Sequence, residues 1–179
     1  QGRSGNVPLL RTLGRELGFS VNAVAPIHIG AEIVSSTRVR SALRDGKLNQ
    51  VAELLGRPYS IAGTVVRGDQ LGQSLGFPTA NIPVDGLELP PFGVYAARAR
   101  HAGGEFPAAV NLGLRPTLQS AQPQLRFEAH LLGFQGDLYG KDLCVELVSF
   151  LRPERRFAHL EALKAQIVKD IAAAEKALS

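Results

Sequence analysis

Gly72-Gln73-Ser74-Leu75-Gly76-Phe77-Pro78-Thr79-Ala80-Asn81 is the stretch on which the fold turns. Two glycines let the backbone approach an anion, and Pro78 fixes the turn that presents the Thr79 hydroxyl and the Asn81 amide in one direction. Such a loop suits phosphate and a metal ion. Its spacing is neither G-x-x-x-x-G-K-[ST] nor G-x-G-x-x-G, so the standard P-loop sheet and the dinucleotide crevice do not fit. Taken alone, the stretch also reads as a plain Gly/Pro turn between two strands.

The sequence on either side supports a barrel. From Tyr59 onward, brief alternating runs at 60–66, 94–100, 106–112, 125–132 and 142–147 are each strand-length and are separated by Gly and Pro. Short strands at this spacing predict a closed antiparallel barrel, mainly β with some α. Beyond it, Leu160, Leu163, Ile167, Ile171 and Ala174 form one apolar stripe of a helix over 155–178, with Lys164, Lys169 and Lys176 facing outward. Upstream, Val7, Leu10, Leu13 and Leu17 predict a helix stopped by Gly18, followed by a short strand over 19–24. That order fits the last unit of an α/β sheet. A helix capped by Ser36 or Thr37 runs to Arg44, and a second covers 48–55 before Gly56 and Pro58, as a linker would.

Composition narrows the class of partner. The 179 residues suit one full domain plus a fragment, and 45% hydrophobic with 20% charged residues describes a water-soluble globule. No apolar run approaches bilayer length and no signal-peptide pattern opens the chain, so the expected location is the cytoplasm, with no membrane partner. The sequence holds no Met and starts at Gln1, which predicts a piece of a longer chain. A net charge of +4 favours anionic ligands. The cations are scattered and aromatics are few, so a nucleotide's phosphates suffice and no nucleic acid is expected. The lone Cys144, in an alternating run, is expected to be a small buried strand residue.

Further motifs follow at set intervals. They are Pro90-Pro91-Phe92-Gly93-Val94-Tyr95-Ala96, Asn111-Leu112-Gly113-Leu114-Arg115-Pro116-Thr117, Glu128-Ala129-His130-Leu131-Leu132, Gly136-Asp137-Leu138-Tyr139-Gly140-Lys141 and Phe150-Leu151-Arg152-Pro153-Glu154. Together with the decapeptide, this set resembles the riboflavin kinase family over about residues 58 to 179. The resemblance implies a six-stranded antiparallel Greek-key barrel with a C-terminal helix. The implied activity is transfer of the γ-phosphoryl group of ATP to the 5′-hydroxyl of riboflavin, giving FMN, with Mg²⁺ as cofactor. Residues 34–40, then Ala42-Leu43, Gly46 and Leu54-Leu55-Gly56-Arg57-Pro58-Tyr59, resemble the segment joining the two modules of the bacterial bifunctional riboflavin kinase/FAD synthetase. Residues 1–57 are then the tail and linker of a Rossmann-like FMN adenylyltransferase domain, and 58–179 the riboflavin kinase domain.

Phosphoryl transfer needs a phosphate cradle, a divalent cation and a base near the attacking hydroxyl. By resemblance, Gly72, Gly76 and Pro78 build the cradle, Thr79 and Asn81 hold Mg²⁺ and phosphates, and Asn111 lies near the nucleotide. Glu128 is the implied base; alternation puts it on one strand face with His130. From the strand pattern alone, Glu128 also reads as a solvated side chain. Arg152, Glu154 and Phe157 are implied flavin contacts, although Arg152 and Glu154 suit equally a surface ion pair capping the last helix. Residues 114–124, with two prolines, read as a flap beside the site. Ser36, Thr37, Arg38 and Arg40 match the adenylyltransferase segment that helps hold ATP phosphates. The His-x-Gly-His motif of that family is not present, since His28-Ile29-Gly30 continues with Ala31, so this chain is expected to make FMN without FAD.

The sequence also departs from the pattern. Gln73 stands where Arg is usual, leaving one phosphate contact to Arg67 or Arg115, while Gly133 and Leu118 replace the common Asp and Phe. The alternative to an enzyme is a non-catalytic flavin- or nucleotide-binding barrel. A barrel for single-stranded nucleic acid is disfavoured by the few strand aromatics. Nothing in the sequence sets the oligomeric state.

Overall fold

The computed structural model describes residues 6–115 and 124–179. Most of the expected flap, residues 116–123 with Leu118, lies outside the described residues, as does the Arg115 side chain. The chain divides into two compact units, one ending at Val34 and one from Ser35 to Ser179.

In the first unit α1, Val7–Leu17, begins where the Asn6 carboxamide oxygen accepts from the Leu9 amide, and ends at Gly18 in the left-handed region. The strand expected over 19–24 does not form. The Phe19 amide instead donates back to the Gly14 carbonyl (2.9 Å), so the chain folds onto the helix end. A small antiparallel ladder, β1 His28–Ile29 with β2 Glu32–Ile33, closes the unit.

The second unit starts with α2, Ser36–Arg44. Its cap is Ser35, whose hydroxyl accepts from the Arg38 amide (3.3 Å). Ser35 is extended while Ser36 already has helical backbone, so the cap lies one residue earlier than expected. Next comes α3, Leu48–Leu55, which ends at a left-handed Gly56 and packs against the sheet through the last strand.

The sheet is built from β3 Ser60–Thr64, β4 Ala80–Asn81, β5 Gly93–His101, β6 Gly104–Arg115, β7 Gln124–Leu131 and β8 Asp142–Pro153. The strands lie in the order β3-β8-β5-β6-β7-β4, all antiparallel. β5, β6 and β7 form a meander and β8 returns beside β5, which is the Greek-key order. Just beyond β3, Val66 bridges Asn81 of β4, its amide donating to the Asn81 carbonyl at 2.9 Å. This one bridge joins the two edges of the curled sheet. α4, Leu71–Ser74, is a single turn inside the decapeptide.

Alternation sorts the side chains. Tyr95, Ala97, Val110, Leu112, Phe127, Ala129, Leu143 and Val145 all face the interior of the curled sheet and are at most 1% exposed. Cys144, between two of these, falls on the other face and is only partly buried, because the alternation that buries Leu143 and Val145 turns it outward. Tyr95 donates its hydroxyl to the Pro91 carbonyl, and burial pushes that hydroxyl up to about 12. The hydroxyl therefore keeps its proton at neutral pH.

The outer face of β5 and β6 is covered by α5, Leu160–Leu178. The helix starts later than the apolar pattern suggested, because His159 is extended and its Nδ1 caps the Ala162 amide. Leu160, at its first turn, is exposed, while Leu163, Ile167, Ile171 and Ala174 face the sheet as expected. Arg98 of β5 donates to the Leu178 carbonyl (3.1 Å), pinning the far end of α5, where the helix leaves carbonyls unpaired.

Candidate functional site

Strand register assembles the site. Residues directly opposite in neighbouring strands share a face. Asn81 pairs with Glu128, Glu128 with Asn111, Asn111 with Val94, and Val94 with Arg152. One row across β4, β7, β6, β5 and β8 thus carries four of the residues picked from sequence. Between this face and α5 lies a cavity of about 680 Å³. Gly72, Thr79, Asn111, Glu128, Arg152, Glu154 and Phe157 all line it, so one wall unites the expected phosphate, base and flavin groups. Leu163, Ile167 and Ile171 of α5 give it an apolar floor.

A second cavity of about 360 Å³ lies on the other side of the decapeptide. Gln73, Pro78, Gln135, Asp137 and Tyr139 line it, and Thr79 belongs to both walls. Gln73, where a cation was looked for, faces this smaller cavity. Arg67, one candidate substitute, lies over the Tyr139 ring at 5.3 Å.

The decapeptide is tightly folded at Gly72. Its carbonyl accepts from the Phe77 amide at 2.7 Å, and a Cβ there would lie 2.4 Å from the Phe77 carbonyl oxygen and 3.4 Å from the Thr79 hydroxyl. Gly76 is left-handed and surrounded by open space. Asn81 does not line either cavity wall; its carboxamide packs over Gly68, where a Cβ would meet it at 2.6 Å. Ser36, Thr37, Arg38 and Arg40 lie on α2, off both walls, with Arg40 bonded to the Ser36 hydroxyl at 3.3 Å.

Among the charged residues of the large cavity that sequence reading passed over, two anchor ion pairs. Arg126 Nη2 donates to Asp69 Oδ2 at 2.6 Å, and its Nη1 to Glu128 Oε1 at 3.3 Å. The second is Asp170, buried within the apolar stripe of α5. Arg152 donates Nε to its Oδ1 (2.8 Å) and Nη2 to its Oδ2 (2.7 Å), and Gln166 adds a bond to Oδ1 at 2.7 Å. Arg152 thus pairs with Asp170 rather than Glu154, and His159 does the capping. Glu154 lies over Gly113, where any Cβ would overlap its carboxylate. Alternation 126-128-130 on β7 and a 163-167-170-171-174 stripe would have flagged both residues.

Because the Arg152–Asp170 pair is bidentate and mostly shielded, removing one charge strands the other. Asp170→Asn is expected to cost about 2 kcal/mol of folding stability, between the exposed and fully buried cases, read as a lower urea midpoint. An unchanged midpoint would mean that the pair is solvated.

The riboflavin kinase family model, described as Flavokinase, matches residues 55–178. The chain belongs to the riboflavin kinase family. It is 44% identical over 170 residues to the bifunctional riboflavin kinase/FMN adenylyltransferase of Escherichia coli K12, covering 94% of this chain and 54% of that one. It is 41% identical to the protein of the same description from Pseudomonas fluorescens, covering 96% and 55%. The chain thus spans about half the length of the curated relatives it matches. A solved structure from Streptococcus pneumoniae, described as a macrolide-efflux protein, superposes with a TM-score of 0.74 at 29% identity, over 91% of this chain and 53% of that one. Among the described residues, no helix is long and apolar enough to cross a membrane.

Proposed function

We propose that this chain transfers the γ-phosphoryl group of ATP to the 5′-hydroxyl of riboflavin, releasing FMN and ADP. The observation that carries the reading is Thr79, the residue common to both cavities, with Glu128 on the wall of the larger. The large cavity, with its apolar α5 floor and Phe157, suits a flat isoalloxazine ring. The smaller one, with Gln73, Thr79, Gln135, Asp137 and Tyr139 in its lining, suits the nucleotide. Donor and acceptor then meet at the Thr79 segment, with the Glu128 carboxylate on the flavin side.

Each residue contributes a simple step. The loop around Gly72, whose amides from Ser74 to Phe77 are spent on its own bonds, offers the phosphates the Thr79 hydroxyl, and Asn111 holds its place in the register row between Glu128 and Val94. Glu128 accepts the proton of the 5′-hydroxyl as that oxygen attacks the γ-phosphorus and ADP departs. Arg152, held by Asp170, and Glu154 border the flavin. The protein's donors near the loop are the Thr79 hydroxyl and the Asn81 carboxamide, and among the described residues no cluster of His, Cys, Asp or Glu could cage a metal. That fits Mg²⁺, which is usually bound through a few protein oxygens, phosphates and water. When bound, it would offset the phosphate charge.

The longer protein to which such a chain corresponds would also adenylylate FMN, with residues 1–57 as the end of that module and Ser36, Thr37, Arg38 and Arg40 near its ATP phosphates. The chain itself lacks His-x-Gly-His. Incubated with riboflavin, ATP and Mg²⁺ and resolved by chromatography, it is expected to yield FMN and no FAD. Absence of FMN would refute the kinase reading, and formation of FAD would refute the module boundary.

A further inference from the structure

Arg126, Glu128 and His130 alternate along β7, so they share one face at steps of about 7 Å. All three line the large cavity. The outer two reach the same segment of chain from its two ends. Arg126 Nη2 donates to Asp69 Oδ2 (2.6 Å) where the segment begins. His130 Nδ1 bonds the Pro78 carbonyl (2.7 Å) where it ends. A carbonyl only accepts, so Nδ1 carries the proton. The Phe77 ring also meets the His130 ring edge-on, 5.9 Å between centroids.

The segment between these ties needs holding. Gln70, beside Asp69, is left-handed (φ 57°), which is unfavourable for a side chain other than glycine. The backbone bonds over the following residues are internal: Ser74 to Gln70, Leu75 to Leu71, Gly76 to Gln73 and Phe77 to Gly72. They give the loop its shape but do not fix where it stands relative to β7. Gln70 Nε2 reaches the Tyr139 hydroxyl at 3.4 Å, a contact toward the smaller cavity. Past Pro78 the ladder of β4 on β7 takes over, Ala80 opposite Ala129 and Asn81 opposite Glu128, so the two side-chain ties hold the stretch before it across the larger one.

We propose that Arg126 and His130 are positioning residues that clamp the two ends of segment 69–78 against the strand bearing Glu128. The clamp fixes the distance between the phosphate loop and the base. Its catalytic meaning rests on the function proposed above, whereas its structural part does not.

Asp69→Ala opens the first tie while keeping Arg126 and its bond to Glu128, and His130→Ala opens the second. In each variant, amide hydrogen exchange at Ser74, Leu75, Gly76 and Phe77 is expected to rise about tenfold, as for one lost hydrogen bond, with β5 and β8 unchanged. Turnover should fall about tenfold while riboflavin affinity stays within about twofold. His130→Asn places an amide donor near the Nδ1 position and should restore both protection and turnover; His130→Leu should restore neither. The double variant should lose less than the product of the single losses, because a loop released at one end is already out of place.

Unchanged exchange in both single variants would overturn the clamp, as would failure of His130→Asn to rescue or a fully multiplicative double loss. Glu128→Gln serves as the separating control: it should slow turnover by about 10³-fold and leave loop exchange untouched. If it kept its turnover while the tie variants still freed the loop, the base assignment would fall and the structural tie would stand.

Discussion

Glu128→Gln is expected to slow FMN formation by about 10³-fold while riboflavin binding stays within about twofold. The substitution is close to a single-atom change. Glutamine keeps the volume and an oxygen that can accept from Arg126, now 3.3 Å from Oε1, so the cavity wall should hold its shape. What disappears is the ability to take the proton of the attacking hydroxyl. Turnover measured by chromatography and affinity measured by quenching of flavin fluorescence separate the two effects. A loss below tenfold would remove Glu128 from its role. A parallel loss of flavin affinity would make it a binding residue instead.

How far the sequence revealed this arrangement can be judged residue by residue. Local signals were sufficient where one interaction decides an element. Gly18 ends α1 where the apolar spacing stops, and strict alternation in β7 put Phe127, Ala129 and Leu131 inside with Glu128 and His130 on the other face. The second half of β8 was not legible. Its pairing with β5 slips between Val94 and Tyr95 and again between Ala96 and Ala97, so two residues oppose one and the period-2 pattern breaks after Leu147. Those slips are what bring Arg152 opposite Val94 and onto the cavity face. Residues 19–24 show the opposite failure, since an alternating run forms no strand when its first amide is already bonded to the helix before it. The site's main picks came from motif resemblance, and the structure gathers Gly72, Thr79, Asn111, Glu128, Arg152, Glu154 and Phe157 on one wall. Position on β7 and on the α5 stripe could have flagged Arg126 and Asp170, but not their partners, Asp69 and Arg152, which lie far off in sequence. A single sequence shows charges but not which of them meet.

The second large effect is expected at Gly72. A methyl group there would come within 2.4 Å of the Phe77 carbonyl oxygen, a backbone atom that can yield only if the loop opens. The same carbonyl belongs to the residue whose amide closes the loop onto Gly72 at 2.7 Å, so relief of the clash breaks the turn. The methyl would also come into contact with the Thr79 side chain, at 3.4 Å from both Cγ2 and Oγ1, so opening of the turn is felt at the hydroxyl shared by the two cavities. Since displacement of about 1 Å at a reacting centre costs on the order of 10²-fold, Gly72→Ala should lower kcat/KM for ATP by about that factor. Flavin affinity should change less, because the apolar floor of the larger cavity comes from Leu163, Ile167 and Ile171 of α5 rather than from the loop. Gly76→Ala makes the comparison sharp. Gly76 is also left-handed, at φ 89°, but nothing lies within 4 Å of its added methyl, so only backbone strain of about 1–2 kcal/mol acts, and it acts on loop stability. If loop shape at Thr79 governs catalysis, steady-state kinetics will show a much larger loss for Gly72→Ala than for Gly76→Ala. Equal losses would mean that general loosening of the loop, rather than the packing of Gly72 against Phe77 and Thr79, sets the rate.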